Sequence, residues 1–133
     1  MHRPSARAIA VVLAALAILV LAGCGGSSAT APVQKPSAAK AVTMLASRTV
    51  IDVRTPAEYA ASHIAGAQNI DVEATDFGSK IAALDKKAPY LVYCRSGNRS
   101  AMAATQMAAA GFADIVDGAA MADLVAAGAK TAP

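Results

Sequence analysis

Two groups of residues in this chain have types and spacings that can do chemistry. One is Tyr93-Cys94-Arg95-Ser96-Gly97-Asn98-Arg99-Ser100, and the other is Asp52 with Arg54. A thiol followed at once by Arg95 and again by Arg99 stands near two permanent positive charges, which favour the thiolate. The apolar run from Pro89 to Tyr93 reads as a short buried strand, and Gly97 to Ala110 reads as an Ala-rich helix closed by Gly111. Cys94 therefore falls where a strand stops and a helix begins. Unpaired backbone N–H groups and the positive end of the helix dipole stabilise an anion there. The pattern points to a nucleophilic sulfur. The alternative is a small apolar core cysteine, and the flanking arginines count against it.

The elements that must position this loop alternate along the chain. Ser37 can cap a helix running to about Ala46. Thr49 to Val53 is β-branched and reads as a buried strand. Thr55-Pro56-Ala57-Glu58 has the order of a capping box with proline at the first helical position, so a short helix runs through Ala61. A turn is expected around His63 to Ala67, then a strand at Gln68-Asn69-Ile70 and a helix from Phe77 to Leu84. After the Cys94 loop and its helix come a strand at Ala113 to Val116, a turn at Asp117-Gly118, and a last helix from Met121 to Ala127. Strands alternating with helices require crossovers, so the expected fold is α/β, a central parallel sheet with helices on both faces. Ligands of such sheets bind beyond the carboxyl ends of the strands. If the two strands are near neighbours, Asp52 and Arg54 share that rim with Cys94. There Asp52 can hold Arg54, or a loop arginine, in place. An ordinary surface ion pair is the competing reading. His63 reads as a structural residue fixing the turn before Gly66.

The first residues read as an export signal. Arg3 and Arg7 precede an apolar stretch from Ala8 to Ala22, too short for the roughly 20 residues of a membrane-crossing helix. Leu21-Ala22-Gly23-Cys24 then resembles a bacterial lipobox, which implies lipidation of Cys24 and a protein held at the cell envelope, on the extracytoplasmic face of a membrane. The competing readings are an uncleaved anchor or a freely secreted product. The expected organisation is residues 1–23 signal peptide, 24–36 lipidated Cys and tether, 37–128 one domain, and 129–133 a tail. The tether is Gly, Ser, Ala, Thr and Pro for most of its length, a composition that cannot bury a core.

Removing Arg3 and Arg7 with the leader leaves ten basic against nine acidic side chains, so the net charge of +3 overstates the basicity of the domain. With no Trp and no basic stripe interleaved with aromatics, nucleic-acid binding is not expected. With Cys24 lipidated, Cys94 is the one free thiol and no internal disulfide can form. His63 is the one histidine after the leader, so no metal site and no cofactor are expected. The expected state is a monomer.

Ile51-Asp52-Val53-Arg54, Glu58-Tyr59, His63-Ile64-Ala65-Gly66-Ala67 and Asn69-Ile70, followed by the Cys94 loop, resemble the motifs of single-domain rhodaneses over about Ser37 to Gly128. The resemblance implies a rhodanese-like α/β fold and a sulfurtransferase. In that family a cysteine takes sulfane sulfur from a donor such as thiosulfate and passes it from a persulfide to a thiol or cyanide. Carried across, Cys94 is the nucleophile and the N–H groups from Arg95 to Ser100, through Ser96, Gly97 and Asn98, cradle the persulfide. Arg95 and Arg99 bind the anionic donor. Four residues separate Cys94 from Arg99, and position 100 is Ser. Phosphatases and arsenate reductases of this fold use a loop one residue longer, so their chemistry is not expected. Two departures stand out: Ser62 replaces a frequent Gly, and Gly118-Ala119-Ala120 without a Trp replaces a frequent Gly-Gly-containing motif. A non-enzymatic sulfur-carrier or protein-binding module, and a thiol redox sensor, stay open beside the enzyme.

Overall fold

The structure, a computed structural model, describes residues 29–133. The leader and the lipobox cysteine Cys24 lie outside the described residues. Among those described, no helix is long and apolar enough to cross a membrane.

Ser37 caps helix α1 (Ala38–Met44), its hydroxyl accepting from the Lys40 N–H, and a 3-10 turn at Leu45–Ser47 leads into strand β1 (Thr49–Asp52). Helix α2 (Pro56–Ala61) starts in the expected capping box, with Thr55 and Glu58 each accepting from the other's backbone N–H. Short strands β2 (His63–Ile64) and β3 (Gln68–Asn69) follow, then helix α3 (Phe77–Ala82), strand β4 (Pro89–Cys94) and helix α4 (Asn98–Ala109). Strand β5 (Asp114–Ala120), helix α5 (Met121–Ala126) and strand β6 (Thr131–Ala132) complete the chain.

The main sheet has the order β3-β1-β4-β5 with every pairing parallel. Side chains of a strand alternate between faces, and β4 shows what that achieves. Tyr90, Val92 and Cys94 join the cluster built with Phe77 and Ile81 of α3 and Ala103, Ala104 and Met107 of α4. Leu91 and Tyr93 face the other way, into the cluster with Ala41 of α1 and Leu124 of α5. Both faces of β4 are thus dry, each large apolar side chain contributing roughly 1.5–3 kcal/mol. The carboxyl end of this most protected strand is where Cys94 sits.

Three expectations are corrected. Asp117-Gly118 is not a turn, because β5 runs on through it to Ala120. Gly118 serves close approach instead: a Cβ there would lie 2.8 Å from Leu91 Cδ2 and 3.2 Å from the Val92 carbonyl oxygen. The pairing with β4 shifts register between Val92 and Cys94, which re-aims the strand end beside the reactive loop. The tether does not extend to residue 36. Gln34 donates its N–H to the Ile115 carbonyl at 3.0 Å and accepts from the Asp117 N–H at 2.8 Å, covering the outer edge of β5. Nor are residues 129–133 a loose tail. Their β6 pairs antiparallel with β2, and the Ala65 N–H donates to the Lys130 carbonyl at 2.9 Å. Backbone pairing needs no apolar side chains, so composition did not reveal either segment.

Candidate active site

β1 and β4 are neighbours with Asp52 opposite Tyr93, so the two groups of chemical residues do meet on one rim of the sheet. Cys94 is fully buried. The Gly97 N–H donates to its Sγ at 2.9 Å, and Ser100 Oγ lies 3.6 Å from the sulfur. Of the N–H groups expected to cradle the sulfur, that of Gly97 reaches it in the resting structure. Gly97 has φ of 97°, a left-handed conformation that lets the loop fold back over Cys94 before α4 begins at Asn98. Ser100, in the first turn of α4, donates its hydroxyl to the Gly97 carbonyl at 3.0 Å and so ties the loop to the helix. Ser96 and Asn98 are exposed at the loop tip.

The two loop arginines are in different situations. Arg99 is taken up by acidic partners: its Nη1 and Nη2 each lie 2.8 Å from Glu58 carboxylate oxygens, and Nη1 lies 3.3 Å from Glu73. The bidentate pair holds Glu58 well down, to about 2, and keeps Arg99 firmly protonated. Arg99, expected with Arg95 to bind the anionic donor, is thus already engaged by Glu58 and Glu73 in this geometry. It braces the loop against α2. Arg95 is exposed, with no acidic partner among the described residues.

Asp52 and Arg54 form a buried pair, not a surface one, at 0% and 7% exposure. Arg54 Nε and Nη2 donate to the carboxylate, the shortest contact being 2.6 Å, and Nη2 also donates to the Ser62 carbonyl at 2.7 Å. Tyr93 donates its hydroxyl to Asp52 at 2.6 Å while accepting from the Ile64 N–H at 2.9 Å. Burial, with the Asp52 carboxylate next, pushes the Tyr93 phenol far up, so it stays a donor. Removing Asp52 alone would strand a buried guanidinium, a loss of about 3–5 kcal/mol. Ser62 has φ of −176°, extended backbone open to any residue, so the absent glycine costs nothing there. His63 is structural, its ring stacked on Tyr59 at 3.8 Å with Nδ1 3.0 Å from the Tyr59 carbonyl oxygen.

Sequence reasoning missed Glu58 and Glu73 as partners of Arg99, and Tyr93 as the link between Asp52 and β2. No local spacing signals a contact across such separations. It also missed a cleft of about 590 Å³ beside the loop, lined by Arg54, Arg95, Ser62, Met121, Val125 and Thr131 among others.

A reactive-loop cysteine at the end of a central strand of a parallel α/β sheet, with a buried Asp-Arg pair on the neighbouring strand, defines a class, and comparison with known proteins agrees. The rhodanese-like domain family matches residues 35–118, and the chain belongs to that family. It is similar to the thiosulfate sulfurtransferase GlpE of Pseudomonas fluorescens SBW25, 45% identical over 67 residues, covering 50% of this chain and 59% of that protein. Among solved structures it resembles a rhodanese-related protein of Thermoplasma volcanium, with TM-score 0.64 and 28% identity over 74% of this chain and 97% of that one. It also resembles a rhodanese of Escherichia coli solved with anions, with TM-score 0.55 and 26% identity over 64% and 96% of the two chains.

Proposed function

We propose that this chain is a sulfurtransferase in which Cys94 carries sulfane sulfur as a persulfide. The observation that carries this reading is the Gly97 N–H aimed at Sγ from a loop that opens α4. That donor stabilises negative charge on the sulfur before and after transfer. In the first step the Cys94 thiolate attacks the outer sulfur of thiosulfate. A Cys94 S–S bond forms, the donor's S–S bond breaks, and sulfite leaves with the electron pair. In the second step cyanide or a thiolate attacks the outer sulfur of the persulfide, and Cys94 departs as thiolate. No external oxidant or reductant is consumed. Arg95 is the cation open to the donor, and Arg99 with Glu58 and Glu73 keeps the loop in place.

Two measurements test this. The intact mass of the full chain after thiosulfate is expected to rise by one sulfur at Cys94, and cyanide should remove it catalytically as thiocyanate. Cys94→Ser should do neither. The full burial of Cys94 favours a second reading, a sulfur carrier that opens only for a specific acceptor. A persulfide that forms and turns over once supports the carrier, and no sulfur uptake at all overturns both. We further propose attachment to the cell envelope through lipid on Cys24, supported by the lipobox resemblance. The mature N-terminus should carry acyl mass, lost in Cys24→Ser.

A further inference from the structure

The cleft beside the loop has a composition that thiosulfate does not need. Its lining combines cations, Arg54 and Arg95, with hydrocarbon from α5, Met121, Ala122 and Val125. Arg54 is nine-tenths buried, and its Nε and Nη2 are occupied by Asp52 and the Ser62 carbonyl. Among the described residues its Nη1 has no hydrogen-bond partner. Every fully buried side-chain nitrogen and oxygen among the described residues does have one, so Nη1 keeps some solvent access, and Arg54 lines this cleft. The guanidinium is held rigidly by two of its nitrogens, which leaves the third as a pre-positioned donor. Asp52 cancels one of the two positive charges, so the site is left with a single net charge. Val125, 41% exposed, is one of two large apolar side chains left open among the described residues.

We infer that this cleft seats a small organic monoanion, its carboxylate on Arg54 Nη1 and Arg95 and its alkyl part against Met121 and Val125. Resting on the sulfurtransferase reading, this is the seat of the acceptor, a carboxylate-bearing alkyl thiol. Thiosulfate has no hydrocarbon to place on α5, whereas the organic partner of the reaction is the acceptor. In the transfer the acceptor's thiol gives its proton to the outer sulfur of the Cys94 persulfide anion, and the thiolate so formed attacks that sulfur. A new S–S bond forms in the departing organic persulfide, and the Cys94 S–S bond breaks to leave thiolate.

The test begins without sulfur chemistry. The full chain is titrated with pentanoate and with 1-pentanol, following the methyl signals of Met121 and Val125 by NMR. Pentanoate is expected to move both and to bind at least about fivefold more tightly than the alcohol. Val125→Asp, an exposed substitution that brings a negative charge into the cleft, should weaken pentanoate about fivefold or more. Met102→Ala, exposed on α4, is the control and should leave binding as it was. Turnover with 3-mercaptopropionate should exceed that with 2-mercaptoethanol, and Val125→Asp should erase the preference. Equal binding of acid and alcohol, or no effect of Val125→Asp, overturns the site even if thiocyanate forms normally. Pentanoate binding in a chain that takes up no sulfur keeps the anion site and overturns its assignment to an acceptor.

Discussion

Ala119, next to Gly118, is the one non-glycine among the described residues with positive φ, 61°. The left-handed region costs an L-residue roughly 1–2 kcal/mol, while a glycine there forfeits part of that gain in backbone entropy. Ala119→Gly is therefore expected to stabilise the fold by about 0.5–1 kcal/mol, read as a raised midpoint in urea. A lowered midpoint would show that the Ala119 methyl, 3.6 Å from the position a Gly97 Cβ would occupy, packs usefully over the loop. Ser100 is the neighbour of the sulfur whose role can be isolated. Its hydroxyl lies 3.6 Å from Sγ, and a rotation aims its proton at an ionised sulfur. Ser100→Ala should slow persulfide formation about tenfold, the worth of one hydrogen bond, with the circular dichroism unchanged. Wild-type rates in that variant would remove Ser100 from the sulfur's surroundings.

At the scale of elements, Glu58 couples two structures that the sequence presents as separate. It closes the capping box of α2 and clamps Arg99 of the reactive loop. Glu58→Gln should cost about 1 kcal/mol at neutral pH. The pH dependence follows from the lowered carboxyl. A group whose folded value sits at about 2, below the ordinary 4.5, stabilises the fold above that ordinary value. Its contribution fades as pH falls from about 4.5 toward 2. Denaturation at pH 7 and pH 3 should show the gap between wild type and Glu58→Gln narrowing in acid. A gap that stays constant would mean the pair does not hold in solution. The capping box itself was legible, because Thr55 to Glu58 is a local pattern with a local cause. The clamp was not, because Arg99 lies on an element that reaches α2 only after the sheet has formed.

For the whole molecule, the two segments assigned from composition to tether and tail close the fold. Gln34 covers the β5 edge, and β6 binds the β2 segment whose Ile64 N–H donates to the Tyr93 hydroxyl. Truncation after Ala129 removes the β6 pairing and the Lys130 carbonyl, and should cost about 1–3 kcal/mol through lost backbone hydrogen bonds. It should also speed hydrogen exchange at Ala65, whose N–H loses the Lys130 carbonyl. Unchanged stability and exchange would return residues 130–133 to the status of a tail.

The sequence by itself determined the order of the five helices and the four main-sheet strands, the parallel α/β architecture, and the place of Cys94 between a buried strand and a helix. Each follows from local causes: β-branched runs, a capping box, glycines at chain reversals, and a period of hydrophobicity that says which faces must be covered. It also placed Asp52 and Arg54 at the end of their strand. What only the tertiary structure decided was partnership. Strand order put Asp52 beside Tyr93 and buried its pair with Arg54. Packing of α2 against the loop gave Arg99 to Glu58 and left Arg95 open. The approach of α5 made a cleft lined by both cations and hydrocarbon. Such contacts join residues far apart in the chain, and their energies depend on distance and desolvation, quantities that exist only once the sheet has closed.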